Sequence, residues 1–217
     1  MISSIIDFFI HIDTHLGDVI SQYGTLTYLI LFFVIFIETG VVVLPFFPGD
    51  SLIFAGGAFA GIGSLNIFLL YFIVLFAAVL GDTVNFHIGK FFENKSLEHA
   101  KWIKKEYLER TETFFERHGG KSIVIARFIP IIRTFAPFVA GIGKMKYKNF
   151  ITYNFLGAFL WVTTFVSIGY FFGNLPFVQK HFSLIVVAII LLSLIPVFVA
   201  FVKELKNKIG SGKNENN

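Results

Sequence analysis

The stretch "FIETGVVVLPFFPGDSLIFAGG", Phe36 to Gly57, decides how the whole chain is read. It is apolar enough to lie in a membrane, yet it holds two acids, Glu38 and Asp50, together with Pro45, Pro48 and Gly49, which interrupt a regular helix. One charge near the bilayer centre costs about 2.5 to 3.5 kcal/mol, so acids at that depth need a partner or water. Broken backbone at membrane depth survives only where protein buries it or a wet cavity accepts its polar groups. The stretch therefore predicts a re-entrant, Pro-broken hairpin over about residues 24–63, folded into a protein interior.

The rest of the chain supplies the matching solvent. Of 217 residues, 55% are hydrophobic and 15% charged, 30 are Phe, and the mean hydropathy is +0.75. A soluble domain with that balance would expose aggregating apolar patches, so this is an all-α integral membrane protein. The absence of cysteine removes disulfides and thiolate metal sites. No dense carboxylate or histidine cluster suggests a metal, and no cofactor motif is present. The six His (11, 15, 87, 99, 118, 181) form no His/Arg/Ser set of the kind a lipid phosphatase uses, which argues against an enzyme.

Charge distribution orients the segments. All 18 Lys and Arg follow Gly89, so the net charge of +4 is a topology signal and not a nucleic-acid footprint. Residues 183–202 are long enough to span about 30 Å of hydrocarbon and are followed by Lys203, Lys206, Lys208 and Lys213, which puts the C-terminus in the cytoplasm. Working backwards, residues 149–173 form a span that begins at the internal cluster "KMKYK" (144–148). The linker 90–121, with eight basic residues against six Glu, is also internal. Phe92, Ala100, Ile103, Tyr107 and Phe114 recur in it at helical spacing, as in an amphipathic helix on the inner leaflet. Both ends of 122–143 then lie on one side, and this segment too is broken, by Pro130, Pro137 and Gly141. A span over 66–89 joins the first hairpin to the linker. An external N-terminus completes this topology, although an internal one with an added crossing satisfies the same charges. One membrane domain, 1–203, thus precedes a disordered cytoplasmic tail, 204–217.

"LPFFPGDSLIFAGGA" (44–58) written over "IPIIRTFAPFVAGIG" (129–143) aligns Pro45 with Pro130, Ala55 with Ala140 and Gly56 with Gly141. "IGKFF" (88–92) likewise echoes "IGYFF" (168–172). Each unit is a broken hairpin plus one crossing, an odd number that inverts the second unit relative to the first, as in secondary transporters.

The first hairpin carries Glu38 and Asp50, the second Arg127 and Arg133, and four intramembrane charges predict mutual pairing, a wet cavity, or both. Salt bridges that merely lock the hairpins are the bland explanation, but buried pairs are weak stabilisers beside apolar packing. Arginine's planar fork suits bidentate phosphate binding, and broken helices aim free N–H groups at the same ligand. Capture of phosphate by the arginines would release a carboxylate to take up a proton, a route to proton coupling. Asp82, in "LGDTVNFHIG", either faces the cavity or pairs with Asn85 or His87.

"ETGVVVLPFFPGDSLIFAGG", "GDTVNFHIGKFF" (81–92) and "HGGKSIVIARFIPIIRTFAPFVAGIGKM" (118–145) together resemble the signature blocks of the DedA family, bacterial membrane proteins related to the SNARE-associated Golgi, or VTT, domain proteins. The resemblance covers roughly Glu38 to Gly173. It implies a multi-pass protein of the bacterial cytoplasmic membrane with paired re-entrant hairpins. It also implies translocation of undecaprenyl phosphate or phosphatidylethanolamine driven by the proton gradient. The family's required acids fall on Glu38 and Asp50 and its required arginines on Arg127 and Arg133. Phe86 stands where many members carry Tyr.

The expected partners are a polyprenyl phosphate or phospholipid, protons and the bilayer, with no nucleic acid and with a homo-oligomer left open. Two arginines match a phosphate dianion better than phosphatidylethanolamine, which brings its own ammonium. The leading expectation is a flippase that recycles undecaprenyl phosphate for envelope synthesis. The alternatives are a phospholipid flippase, or a proton or ion transporter using the same charges.

Overall fold

Asn66 opens the first long helix: its side-chain oxygen accepts the Leu69 N–H at 3.0 Å, an N-cap. Just before it, Gly63 takes a left-handed φ of 83°, and the Ser64 N–H reaches back to the Phe59 carbonyl. This closes the preceding helix as a Gly-terminated turn. The structure, a computed structural model, describes residues 17, 18, 20, 22–41, 49–92, 119–143, 145–173 and 175–180. In order these form α1 (Leu26–Gly40), α2 (Gly49–Gly61), α3 (Ile67–Phe92), a short 3-10 turn (Gly119–Lys121), α4 (Ser122–Ala126), α5 (Pro130–Ile142), α6 (Tyr147–Phe172) and α7 (Pro176–Lys180), with no strand among the described residues. The expectations for Pro45 and Pro48, most of the linker, the span 183–202 and the tail lie outside them.

Length sorts these helices. α3 and α6 hold 26 residues each, which at about 1.5 Å per residue exceeds the hydrocarbon thickness of about 30 Å. α1, α2 and α5 hold 15, 13 and 13 residues, and each reaches only about 20 Å. Phe68, Phe72 and Phe76 form a stripe along α3 and are 72%, 63% and 61% exposed, while Glu38, Asp50, Asp82 and Arg127 are buried. Lipid, not water, rewards apolar rings outside and charges inside. The chain is a membrane protein.

The short helices pack crosswise. α1 lies along α3 and α4 along α6, whereas α2 packs on α6 and α5 on α3. Glycines make the crossed contacts possible. A Cβ on Gly57 would strike the Val166 carbonyl, the Tyr170 amide and the Gly169 Cα; a Cβ on Gly141 would strike the Phe86 carbonyl, the Lys90 amide and Gly89. From the other side, Gly169 faces the Phe54 carbonyl and Gly89 faces the Phe138 carbonyl. Gly57 against α6 and Gly141 against α3 thus make the same kind of close backbone contact.

Two sequence expectations change. Gly141 does not break a helix, because α5 continues to Ile142; the residue is small so that α3 can approach. Gly56, aligned with Gly141 in the sequence, faces the Leu70 side chain. Pro137 also lies inside α5 without ending it. The helix loses the hydrogen bond that residue 137 would donate to the Arg133 carbonyl, and packing on α3 holds it together. Pro130 starts α5 at the position where a missing N–H is tolerated. The break itself is Arg127 to Ile129.

Candidate functional site

Three short-helix ends deliver charge to one place. Glu38 sits in the last turn of α1 and Asp50 in the first turn of α2, where the helix dipole favours an anion. The Glu38 carboxylate occupies the space a Cβ on Gly49 would need, so glycine at the start of α2 brings the two acids together. Arg133, in the first turn of α5, reaches both: its Nη1 donates to Asp50 Oδ1 at 2.7 Å and its Nη2 to Glu38 Oε1. One guanidinium thereby ties α5 to α1 and α2.

Arg127 sits where α4 gives way to α5, and its partners come from the long helices. Its Nη2 donates to Asp82 Oδ2 on α3 and, at 3.0 Å, to Asn154 Oδ1 on α6. Asn154 is held in turn by donating to the Val79 carbonyl at 3.1 Å. The second nitrogen of Arg127, Nη1, is buried and makes no hydrogen bond among the described residues.

Trp161, buried on α6, lies within reach of both arginines. The carbons at the centres of the Arg127 and Arg133 guanidiniums lie 5.7 and 5.4 Å from its ring centroid, within cation–π range. Its indole N–H donates to Asp50 Oδ1 at 3.0 Å. Glu38, Thr39, Asp82, Arg127, Arg133 and Trp161 border one cavity. The cavity is narrow, with room for about one water. Three carboxylates face two guanidiniums, so the fully ionised cluster carries one net negative charge. An anion enters such a site only if carboxylates are neutralised as it arrives.

The structure thus brings Glu38, Arg127 and Arg133 to one cavity and adds Asp82, while Asp50 joins the cluster through Arg133 and Trp161. Asp82 pairs with Arg127 and not with Asn85 or His87. Asn85 instead donates to the Thr39 and Thr134 carbonyls, at 3.1 and 2.9 Å, tying α3 to α1 and α5. His87 is exposed and hydrogen-bonded to the Thr83 carbonyl. Phe86 stacks on Phe150, ring centroids 4.3 Å apart, in an apolar cluster. Asn154 and Trp161 are the polar partners that sequence reasoning missed. The signal available was their spacing of seven residues, two helical turns, with Gly157 between them on a buried stripe of an otherwise greasy span.

The sequence profile of the VTT domain matches residues 47–171. Over 207 residues the chain is 47% identical to Protein DedA of Escherichia coli (strain K12), covering 94% of each. An uncharacterized membrane protein of Mycobacterium leprae (strain TN) is 35% identical over 84% of this chain and 82% of its own length. The inner membrane protein YghB of Escherichia coli (strain K12) is 30% identical over 81% and 78%. No solved structure matches the chain.

Proposed function

Since the chain belongs to the DedA family of VTT-domain membrane proteins, we propose that it is a proton-coupled lipid translocase. Its substrate is undecaprenyl phosphate, returned across the bacterial cytoplasmic membrane for envelope synthesis, and it performs no covalent chemistry. The observation that carries this reading is the convergence of Arg127 and Arg133 on one cavity with Glu38 and Asp82, with Asp50 paired to Arg133.

Two arginines can clamp a phosphate monoester from both sides. The carboxylates that hold them make the clamp conditional. While Glu38 and Asp50 are ionised, Arg133 is engaged and the cavity is closed; protonation loosens both pairs and removes the negative charge opposing the phosphate. The headgroup binds as protons do, and the prenyl chain stays in lipid beside the short helices. Release on the other face lets the carboxylates recapture the arginines and shed their protons.

The architecture supports an alternating path. α1, α2 and α5 are too short to cross, so we read α1–α2 and α4–α5 as re-entrant hairpins. The reciprocal glycine contacts, Gly57 with Gly169 and Gly141 with Gly89, support two inverted repeats that exchange their second half-helices. The positive-inside charges support a cytoplasmic C-terminus. The name of the relative YghB supports the inner membrane as location.

The test is headgroup flipping in proteoliposomes, comparing undecaprenyl phosphate with phosphatidylethanolamine for wild type and Arg127→Ala. Movement of the prenyl phosphate alone, lost in the variant, is the expected result. Movement of phosphatidylethanolamine alone reassigns the substrate, and an ion leak with neither lipid moving removes the translocase reading.

A further inference from the structure

The two arginines are not held alike. Arg133 has both terminal nitrogens taken by carboxylates from different helices, Asp50 on α2 and Glu38 on α1. Arg127 spends a single nitrogen on Asp82 and the neutral Asn154 and keeps Nη1 unpartnered, although the residue is only 5% exposed and borders the cavity. A buried charged donor without an acceptor is costly, and a fold retains one where a ligand supplies the acceptor.

We propose that the arginines divide the work: Arg127 is the standing dock for a phosphate oxygen, through Nη1, and Arg133 is a latch that joins the phosphate only after Glu38 and Asp50 let go. This division rests on the phosphate-translocase reading above. A phosphate oxygen can meet Arg127 Nη1 without breaking the Asp82 pair. It cannot meet Arg133 without displacing a carboxylate. The latch is the proton-sensitive half, and the ionisable groups around it are Glu38 on α1, Asp50 on α2, Asp82 on α3 and Arg127 beside α4. From α6 come Asn154 and Trp161, which do not titrate. Trp161 touches both guanidiniums through its ring and hydrogen-bonds Asp50. It therefore senses when the latch opens.

Trp161 also supplies the readout, since the chain has only two tryptophans. In a Trp102→Phe background, the full-length protein in lipid nanodiscs is titrated with a short-chain prenyl monophosphate while Trp161 emission is followed. Inorganic phosphate and the matching prenyl alcohol serve as comparison ligands, and the titrations are run on both sides of neutral pH. The parent chain should bind the monophosphate more tightly as pH falls. Arg127→Lys keeps the charge but not the forked donor and should weaken binding at every pH, on the order of tenfold, the scale of one lost charge-assisted hydrogen bond. Asp50→Asn, which half-releases the latch, should tighten binding and flatten its pH dependence. The paired variant Asp82→Asn/Arg127→Gln leaves no uncompensated charge to unfold the protein and should lose binding as Arg127→Lys does.

Full affinity in Arg127→Lys, or weaker binding in Asp50→Asn, overturns the division of labour while leaving the phosphate reading intact. A parent chain that responds equally to the monophosphate and the alcohol overturns both. If inorganic phosphate binds as well as the prenyl monophosphate, the dock stands but its ligand is the free anion.

Discussion

The two halves of the molecule, residues 26–92 and 122–172, share a scaffold and differ in charge. Each has a short first helix lying along its own long helix, and a second half-helix that crosses to the long helix of the other half through a glycine contact. Yet every carboxylate of the site, Glu38, Asp50 and Asp82, comes from the first half, and both arginines come from the second. The packing pattern recurs and the chemistry is split. Each ion pair is therefore also a clasp between halves.

The largest expected effect comes from abolishing the split. Arg133→Glu places four acids around Arg127 alone, and it should cost more than the 3 to 5 kcal/mol typical of breaking a buried pair. The expected outcome is loss of folded, monodisperse protein in size-exclusion chromatography. The exchange Glu38→Arg/Arg133→Glu should recover folding but not transport, because a clasp survives reversal whereas a phosphate dock does not. Recovery of transport would mean that the charges serve only to hold the halves together.

The shared scaffold is tested next. Gly57→Leu and Gly141→Leu each push a side chain into the backbone of the opposite long helix. Overpacking of this kind costs about 1 to 3 kcal/mol or more. Thermal unfolding in detergent should show similar losses for the two variants, and Gly56→Leu, which meets only the Leu70 side chain, should lose less. A large difference between Gly57 and Gly141 would break the equivalence of the crossings.

What was legible in the sequence follows the same division. Charges announce themselves in an apolar chain because they are expensive, and so Glu38, Asp50, Arg127 and Arg133 stood out before any coordinates. Asp82 stood out too, but its partner did not, since Arg127 is distant in sequence and Asn85 and His87 were near. Trp161 and Asn154 stayed hidden for the opposite reason: an aromatic ring or a single amide in a span of 26 residues is unremarkable until a neighbouring helix gives it a partner. In the second hairpin Pro130 marks the break and Pro137 does not, since proline fixes where a helix loses a donor and not whether packing carries the helix past it. Pro137 is carried past; Arg127 to Ile129 is not.

Two smaller effects sharpen the contrast between inside and outside. Trp161→Phe removes the indole hydrogen bond to Asp50, worth about 0.5 to 1.5 kcal/mol net, and weakens the cation–π contacts. Unfolding midpoints should fall modestly, and flipping rates should fall several-fold. Phe72→Leu, on the lipid-facing stripe of α3, should change both by very little, within the ~0.5 kcal/mol usual for surface substitutions. A strong effect at Phe72 would mark that face as part of the lipid path.

The most direct test of the central claim, that a phosphate headgroup enters only with protons, is a proton-uptake measurement. Proteoliposomes with a pH dye inside and no imposed gradient are given undecaprenyl phosphate on the outside. Lipid-dependent acidification of the lumen, seen in wild type and absent in Arg127→Ala, is the predicted result. Flipping of the lipid with no change in luminal pH would contradict the account, because the cluster of three carboxylates and two arginines would then be admitting the anion unaided.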